Sequence, residues 1–332
     1  MMDGKNLQIR LKNRPDGPPS IGDFEVFEAD IPDAGEGEVL CRTLYLSLDP
    51  YMRGQISGRH ISGTILPGDM MRGETISEVV TSHHADFKAG DRVAHHGGWQ
   101  GWSVAKADEL VPVDRRIMPP SLALGMLGMP GLTAYAGMIY LAELKKGDNL
   151  VVSAASGAVG SMVGQIARIM GCRVVGIAGA DEKCRWLREE AGFADCINYK
   201  TQDLAAALKE SCPDGVDVYF DNVGGDMLDI VMGQLALGAR VVLCGLMAQY
   251  NTDVIPPGPN PATIIKARAT VRGLVVYDFF DKKQEFLDRV IPWVDQGLIS
   301  YREDVTGGLE NAPAAFVRLM SGKNFGKTII RV

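Results

Sequence analysis

No two of the six cysteines (Cys41, Cys172, Cys184, Cys196, Cys212, Cys244) form a C-x-x-C pair. That spacing argues against a zinc cluster and a disulfide framework, and makes a reducing cytoplasm the expected setting. Positive charge is in deficit: 34 Lys plus Arg stand against 41 Asp plus Glu, a net charge of −7. Without a basic excess there is no general electrostatic reason to bind nucleic acid or an anionic membrane. The opening stretch, MMDGKNLQIRLKNRPDG, has no apolar core of the kind a secretory signal needs. Residues 117–142 carry no charge and are numerous enough to span a bilayer. Pro119, Pro120, Pro130, Gly125, Gly128, Gly131 and Gly137 interrupt them, so an unbroken helix is disfavoured and a buried crossover between domains is expected. Any Tyr-x-x-x-Lys pair is missing too, which removes sequence support for a short-chain dehydrogenase mechanism.

What is present fits an ordinary globular protein: 332 residues, 46% hydrophobic and 23% charged. At about 150 residues per domain this is roughly two domains. Up to about residue 115 the pattern is short and β-like. Segments 39–48, 73–80, 91–96 and 101–113 are rich in β-branched and aromatic residues, with Gly, Pro and Asp between them, as in a barrel or sandwich. From about residue 144 strands alternate with helices, the signature of parallel βαβ units. Strands are expected at 149–155, 172–179, 195–200, 215–223, 239–245 and 271–278, followed by a helix over 282–296 and a tail.

The first of these strands runs into Gly157, Ala158, Val159 and Gly160. An amphipathic helix then follows, with Val159, Met162, Val163, Ile166, Ala167 and Met170 on one face. Glycines at such a turn let the backbone approach a pyrophosphate, and the helix N-terminus offers N–H groups to the anion. An NAD site usually carries an Asp or Glu at the tip of the second strand to hold the ribose 2′-OH. Here that tip reads Ile177-Ala178-Gly179-Ala180. Asp181 and Glu182 arrive late, as first-turn residues of a helix, and Lys183 follows. A missing carboxylate beside a cation points to the 2′-phosphate of NADP(H).

The histidines occur as His60 and the adjacent pairs His83–His84 and His95–His96. Neighbours along a strand point to opposite faces, so neither pair makes a natural metal clamp.

With those residues in place the chain resembles the zinc-free branch of the medium-chain dehydrogenase/reductase superfamily, which holds leukotriene B dehydrogenases, prostaglandin reductases, alkenal double-bond reductases and curcumin reductase-like enzymes. The motifs are LSLDPYMRG (46–54), MPGLTAYAG (129–137), AASGAVGSMVGQIA (154–167), AGADEK (178–183), INYK (197–200), YFDNVGG (219–225), CGLMAQYN (244–251), PPGP (256–259) and GKNFGKTI (322–329). The resemblance implies an α/β protein, with a Rossmann doubly wound parallel sheet (126–299) binding NADP and a GroES-like β-barrel catalytic domain (1–125 and 300–332). It places the pyrophosphate on Gly157–Gly160, and Lys183 and Tyr199 at the 2′-phosphate end. Asn222 lies along the cofactor. Cys244, Gly245, Leu246, Met247, Ala248, Gln249 and Tyr250, with Leu274, Val275 and Val276, line the nicotinamide side. Asn324 reaches in from the tail, and Met129 and Thr133 sit beside the nicotinamide. A homodimer is implied as well, with edge pairing through VRGLVVYD as its physical route.

Zinc-dependent relatives carry an early catalytic Cys, a Gly-His-Glu triplet and a four-cysteine lobe. This chain reads LSLDPYM and Arg72-Gly73-Glu74 at the corresponding places, so no metal site is expected. A metal-free hydride donor suits conjugate reduction of an α,β-unsaturated ketone or aldehyde, in which a hydrogen-bond donor meets the charge growing on the carbonyl oxygen. Tyr250 is the first candidate donor and Tyr51, in the DPYM turn, the second. A quinone reductase is the nearest alternative. A non-catalytic NADP-binding scaffold is the alternative of another class.

Overall fold

Short alternating segments make the first strands. β1 (Lys5–Leu11) buries Ile9 and Leu11 and pairs antiparallel with β2 (Phe24–Asp30). The ten residues of β3 (Glu38–Ser47) form the spine of a larger sheet. Helix α1 (Met52–Ser57) follows at once, and then come β4 (Thr75–Ser82), β5 (Arg92–His95), β6 (Trp102–Lys106) and β7 (Val111–Pro112). The expected long strand over 101–113 is split in two, because a 3-10 turn at Ala107–Glu109 intervenes. The computed structural model describes residues 4–252 and 257–332. Its chain divides into two compact units, one ending at Leu124 and resuming over Glu303–Val332, the other Gly125–Arg302. Part of the proline-rich motif, Pro256 included, lies outside the described residues.

The charge-free run beyond residue 117 is broken as its prolines and glycines require. It forms a 3-10 segment at Pro120–Leu124, then α2 (Met129–Ala136) with Pro130 in its first turn, then one wide turn at Gly137–Leu141. No helix among the described residues is long and apolar enough to cross a membrane.

The second unit is built on six parallel strands: β8 (Asn149–Val152), β9 (Arg173–Ala178), β10 (Asp195–Asn198), β11 (Val216–Asp221), β12 (Leu235–Leu243) and β13 (Thr270–Gly273). Their order is β10-β9-β8-β11-β12-β13, the doubly wound arrangement whose order reverses at β8. The intervening helices are α3 (Ala158–Ile169), α4 (Asp181–Glu189), α5 (Leu204–Ser211), α6 (Gly225–Met232) and α7 (Pro261–Ala267), with α8 (Lys283–Asp295) after the last strand. Both faces of the sheet are covered, so its strands read as near-continuous apolar runs. Val151, Val175, Ile177, Ile197, Tyr219 and Val241 form the core, each aliphatic member contributing about 1.5–3 kcal/mol by leaving water. The last strand is shorter than the sequence implies. After Leu274 N–H bonds to Leu243 O the chain coils into a 3-10 segment, Val276–Lys282, where Tyr277 and Phe280 pack edge to face.

The chain then returns to the first unit with β14 (Glu303–Gly307), α9 (Ala312–Met320) and β15 (Lys327–Arg331). The sheet there runs β14-β15-β3-β4-β5-β7, with β6 also paired to β3. Closure of this sheet into the expected barrel is not detected among the described residues. β3 serves β4 on one side and both β15 and β6 on the other, and β7 and β14 remain the two ends of the path. Trp99 centres the core beneath, stacked on Phe24 at 5.8 Å and edge-on to Phe316 at 5.7 Å.

Candidate active site

The parallel sheet sets the turns after β8, β9, β11 and β12 along one edge, at the C-terminal ends of the strands where open α/β sheets bind ligands. After β8 the chain passes through Ala154 in the left-handed region (φ 48°), and α3 then begins behind Gly157. The first N–H groups of α3 precede its earliest intrahelical bond, Ser161 N–H to Gly157 O at 3.0 Å. Ala158, Val159 and Gly160 therefore present backbone donors together with the positive end of the helix dipole, while Gly157 N–H closes the turn on Ala154 O at 2.9 Å. A Cβ on Gly160 would stand 2.5 Å from Ala154 O, so only glycine lets helix and turn approach this closely. The cradle fits a pyrophosphate.

At the tip of β9 the expected empty carboxylate position is explained by a contact. Asn198 Nδ2 donates to Asp181 Oδ1 at 2.6 Å, turning that carboxylate toward β10. Gly179 is packed by the turn that follows β10. A Cβ there would lie 3.0 Å from Tyr199 Cε1 and 3.2 Å from both the Tyr199 hydroxyl and Lys200 Cε. Lys183 is half-buried in the first turn of α4. Lys200 was not among the sequence candidates. It follows Tyr199 directly, but only the pairing of β10 with β9 brings its stem to Gly179.

Beyond β11 the backbone is organised by one buried carboxylate. Asp221 Oδ1 accepts from Ser153 Oγ (2.9 Å), Tyr219 OH (2.7 Å) and Val223 N–H (3.1 Å), and Oδ2 accepts from Gly224 N–H (2.9 Å). Asn222 Nδ2 donates to Ser153 O at 2.8 Å, which fixes Asn222 across the tips of β8 and β11. The 244–250 loop is pinned to the same turn: Cys244 N–H bonds Asp221 O (2.8 Å), Met247 N–H bonds Asn222 O (3.3 Å) and Ala248 N–H bonds Val223 O (2.9 Å). Gly245 also donates to Asp221 O, and Gln249 closes on Leu246 O. Tyr250 ends this loop half-buried. Burial pushes its phenol above the usual value, against a hydrogen bond from the Leu246 backbone. Burial likewise pushes the Cys244 thiol up to about 12. Leu274 is buried where the last strand ends, while Val275 is exposed and Val276 half-buried. Ser153 and Asp221 organise this site although sequence reasoning did not single them out.

Met129 and Thr133 share α2, and the Thr133 hydroxyl donates to Met129 O at 2.8 Å. Its proton is thus committed to the helix, and its lone pairs are what it can offer a ligand.

Tyr51 and Asn324 belong to the first unit. Tyr51 caps α1, its ring 5.1 Å from that of His60. Just ahead of it, Asp49 accepts from the Lys327 ammonium at 2.5 Å and from the Ser47 hydroxyl, and Lys327 also donates to Leu48 O at 3.0 Å. Both members of this ion pair are buried, at 6% and 4% exposure. Asn324 Nδ2 donates to Gly326 O at 3.0 Å, shaping the turn before β15. His95 ends β5 and is buried, and His96, just beyond the strand, is exposed. Burial pulls His95 down to about 4, with repulsion from His96 adding to it. No cluster of three or more His, Cys, Asp or Glu among the described residues could hold a metal ion, so the donor set does not fit zinc.

Two sequence families match. One, described as the N-terminal domain of oxidoreductases, covers residues 7–113, and the other, described as zinc-binding dehydrogenase, covers residues 158–296. The chain is 44% identical to the NADPH-dependent curcumin reductase of Escherichia coli, over 99% of this chain and 97% of the relative. It is 43% identical to prostaglandin reductase 1 of Bos taurus (97% of each chain). It is 41% identical to the NADP⁺-dependent 2-alkenal reductase of Nicotiana tabacum (98% and 97%). The crystal structure of CurA from Vibrio vulnificus in complex with NADPH superposes with a TM-score of 0.94 at 43% identity, covering 98% of this chain and 99% of that one.

Proposed function

The chain belongs to the medium-chain dehydrogenase/reductase family, in the branch of the curcumin, prostaglandin and 2-alkenal reductases, and from that premise we propose that it is an NADPH-dependent reductase of the carbon–carbon double bond of α,β-unsaturated ketones and aldehydes. The observation that carries the cofactor half of this reading is the tip of β9. There Asp181 is engaged by Asn198, Tyr199 and Lys200 pack around Gly179, and Lys183 stands in the first turn of α4. That surrounding suits a phosphate dianion, with the acidic group turned toward β10. In this reading Gly157–Gly160 hold the pyrophosphate, and Asn222, the 244–250 loop, Leu274–Val276, Met129 and Thr133 line the rest. When bound, NADPH supplies the hydride that the β-carbon of the substrate accepts.

The chain's own contribution is to stabilise charge. Tyr250 donates a hydrogen bond from its phenol to the carbonyl oxygen as that oxygen becomes enolate-like, and Tyr51 is the second donor. Because burial favours the neutral phenol, Tyr250 stays a donor throughout the physiological range. In this reading residues 126–299 bind the cofactor and residues 1–125 with 300–332 form the catalytic domain. The protein works in a reducing cytoplasm as a homodimer, paired through the edge strand β13. That strand ends the parallel sheet and is exposed along its whole length.

The reading is tested by offering NADPH together with an enone, an enal or a quinone and following loss of reduced-cofactor absorbance. Consumption with the enone and enal is expected. Consumption with the quinone alone would transfer the assignment to quinone reduction, and binding of NADPH with no turnover would favour a scaffold.

A further inference from the structure

Two cysteines that no sequence spacing links are brought together in the second unit. Cys184, on the first turns of α4, and Cys196, on β10, stand twelve residues apart in sequence, yet their sulfur atoms lie 2.6 Å from each other. Both are free thiols and both are buried, at 2% and 4% exposure. A disulfide needs sulfur atoms about 2.0 Å apart, so only a small closing movement separates this contact from a bond. The geometry points to Cys184 and Cys196 as a redox-modification site, a dithiol that a peroxide oxidises reversibly to a disulfide.

The surroundings assign the two roles. Cys196 donates its thiol hydrogen toward Cys184, which favours the Cys184 thiolate. Arg188, hydrogen-bonded to Cys196 O at 3.2 Å, adds attraction, while burial and the carboxylates of Asp181 and Asp195 oppose it. Cys196 is pushed the other way, by its bond to Cys184 and by burial. In this proposal Cys184 is the attacking sulfur and Cys196 its resolving partner. It takes one oxygen of hydrogen peroxide: the S–O bond forms, the O–O bond breaks, and hydroxide leaves to become water. The sulfur, oxidised by two electrons, becomes a sulfenic acid. The Cys196 sulfur then attacks it, the S–S bond forms, and the S–O bond breaks. The second hydroxide departs with the Cys196 proton as another water. In sum two thiols and one peroxide give a disulfide and two waters. Both sulfurs are buried, which keeps out glutathione-sized disulfides, so the oxidant proposed is the small hydrogen peroxide. The resolving thiol stops oxidation at a reversible stage. A transient disulfide of this kind is compatible with a reducing compartment. Lys183 precedes one sulfur and Asn198–Tyr199 follow the other, so the link would tie together the two elements around the proposed phosphate site. The thiol chemistry itself stands whether or not a phosphate binds there.

The test treats the full-length protein with hydrogen peroxide, denatures and alkylates it, and maps cysteines by mass spectrometry. The expected result is a dithiothreitol-reversible peptide linking Cys184 to Cys196, with loss of both alkylatable thiols while Cys41, Cys172 and Cys212 remain reduced. In Cys196→Ser, Cys184 should stop at a sulfenic acid that dimedone traps. In Cys184→Ser, Cys196 should survive the same treatment as a thiol. Oxidation of the more exposed Cys244 ahead of an intact Cys184–Cys196 dithiol, or irreversible Cys184 sulfinic acid without a linked peptide, would overturn the proposal.

Discussion

Asn198 donates its side-chain amide to the Asp181 carboxylate at 2.6 Å, which holds the acidic group at the tip of the second Rossmann strand toward β10. In an NAD site the acidic group near this point turns toward the ribose. Here it is held against β10, and the neighbourhood of Gly179 is left to Tyr199 and Lys200.

Removal of either cation should therefore act on one cofactor. Lys183→Ala and Lys200→Ala are each expected to weaken NADPH by about 10- to 100-fold, the value of one charge-assisted hydrogen bond of about 1.5–3 kcal/mol. NADH binding should hardly change. Isothermal titration with both cofactors checks this, and equal weakening of the two would remove the lysine in question from the phosphate site.

Tyr250→Phe should lower kcat by about 10²-fold, in the range of a single acid–base or hydrogen-bonding group, with thermal stability preserved. The pH profile carries a second expectation. In the proposed reading the donor is the protonated phenol, and burial raises its pKa above the usual tyrosine value. The donor form therefore persists as pH rises, and activity governed by it should fall only in strongly alkaline solution. An unchanged kcat in the phenylalanine variant would move the role to another residue.

The Lys327–Asp49 pair ties β15 to the turn that leads into Tyr51. Breaking one side leaves an uncompensated buried charge, so Lys327→Met should cost about 3–5 kcal/mol. Adding Asp49→Leu should restore most of that stability, because it also removes the orphaned carboxylate. Chemical denaturation of the three variants measures the coupling; additive losses would mean the two side chains act independently.

His95 makes the fold acid-sensitive. Its pKa is near 4 in the folded chain against an ordinary value of 6.5, so the unfolded chain binds the extra proton between those limits. Stability should be complete above about pH 7 and decline as pH falls through 6.5 toward 4, by up to about 3 kcal/mol. His95→Asn should flatten that part of the profile. A denaturant midpoint measured across pH 4–8 decides it.

The parallel half was legible because each strand–helix alternation leaves its own period, and because the glycine turn needs only local residues to be recognised. The β12–β13 region was less so: valines continue past Gly273, and only the 3-10 coil after Leu274 shows that pairing has stopped. In the antiparallel half the β1–β2 hairpin carries too many polar residues to read as two strands. Whether the sheet closes depends on how β3 shares its partners, which is long-range information. The same limit hid Lys200, Asp221 and the Cys184–Cys196 contact. Each acquires its meaning from a neighbour brought in by strand pairing or helix packing, and no spacing along one chain records that neighbour.

The central claim is conjugate reduction from NADPH, and the most direct measurement is the position of the label after turnover of an enone with NADPH deuterated at the transferred C4 position. Nuclear magnetic resonance of the product should find deuterium on the former β-carbon of a saturated ketone whose carbonyl is intact. Deuterium on a carbinol carbon with the double bond retained would contradict it.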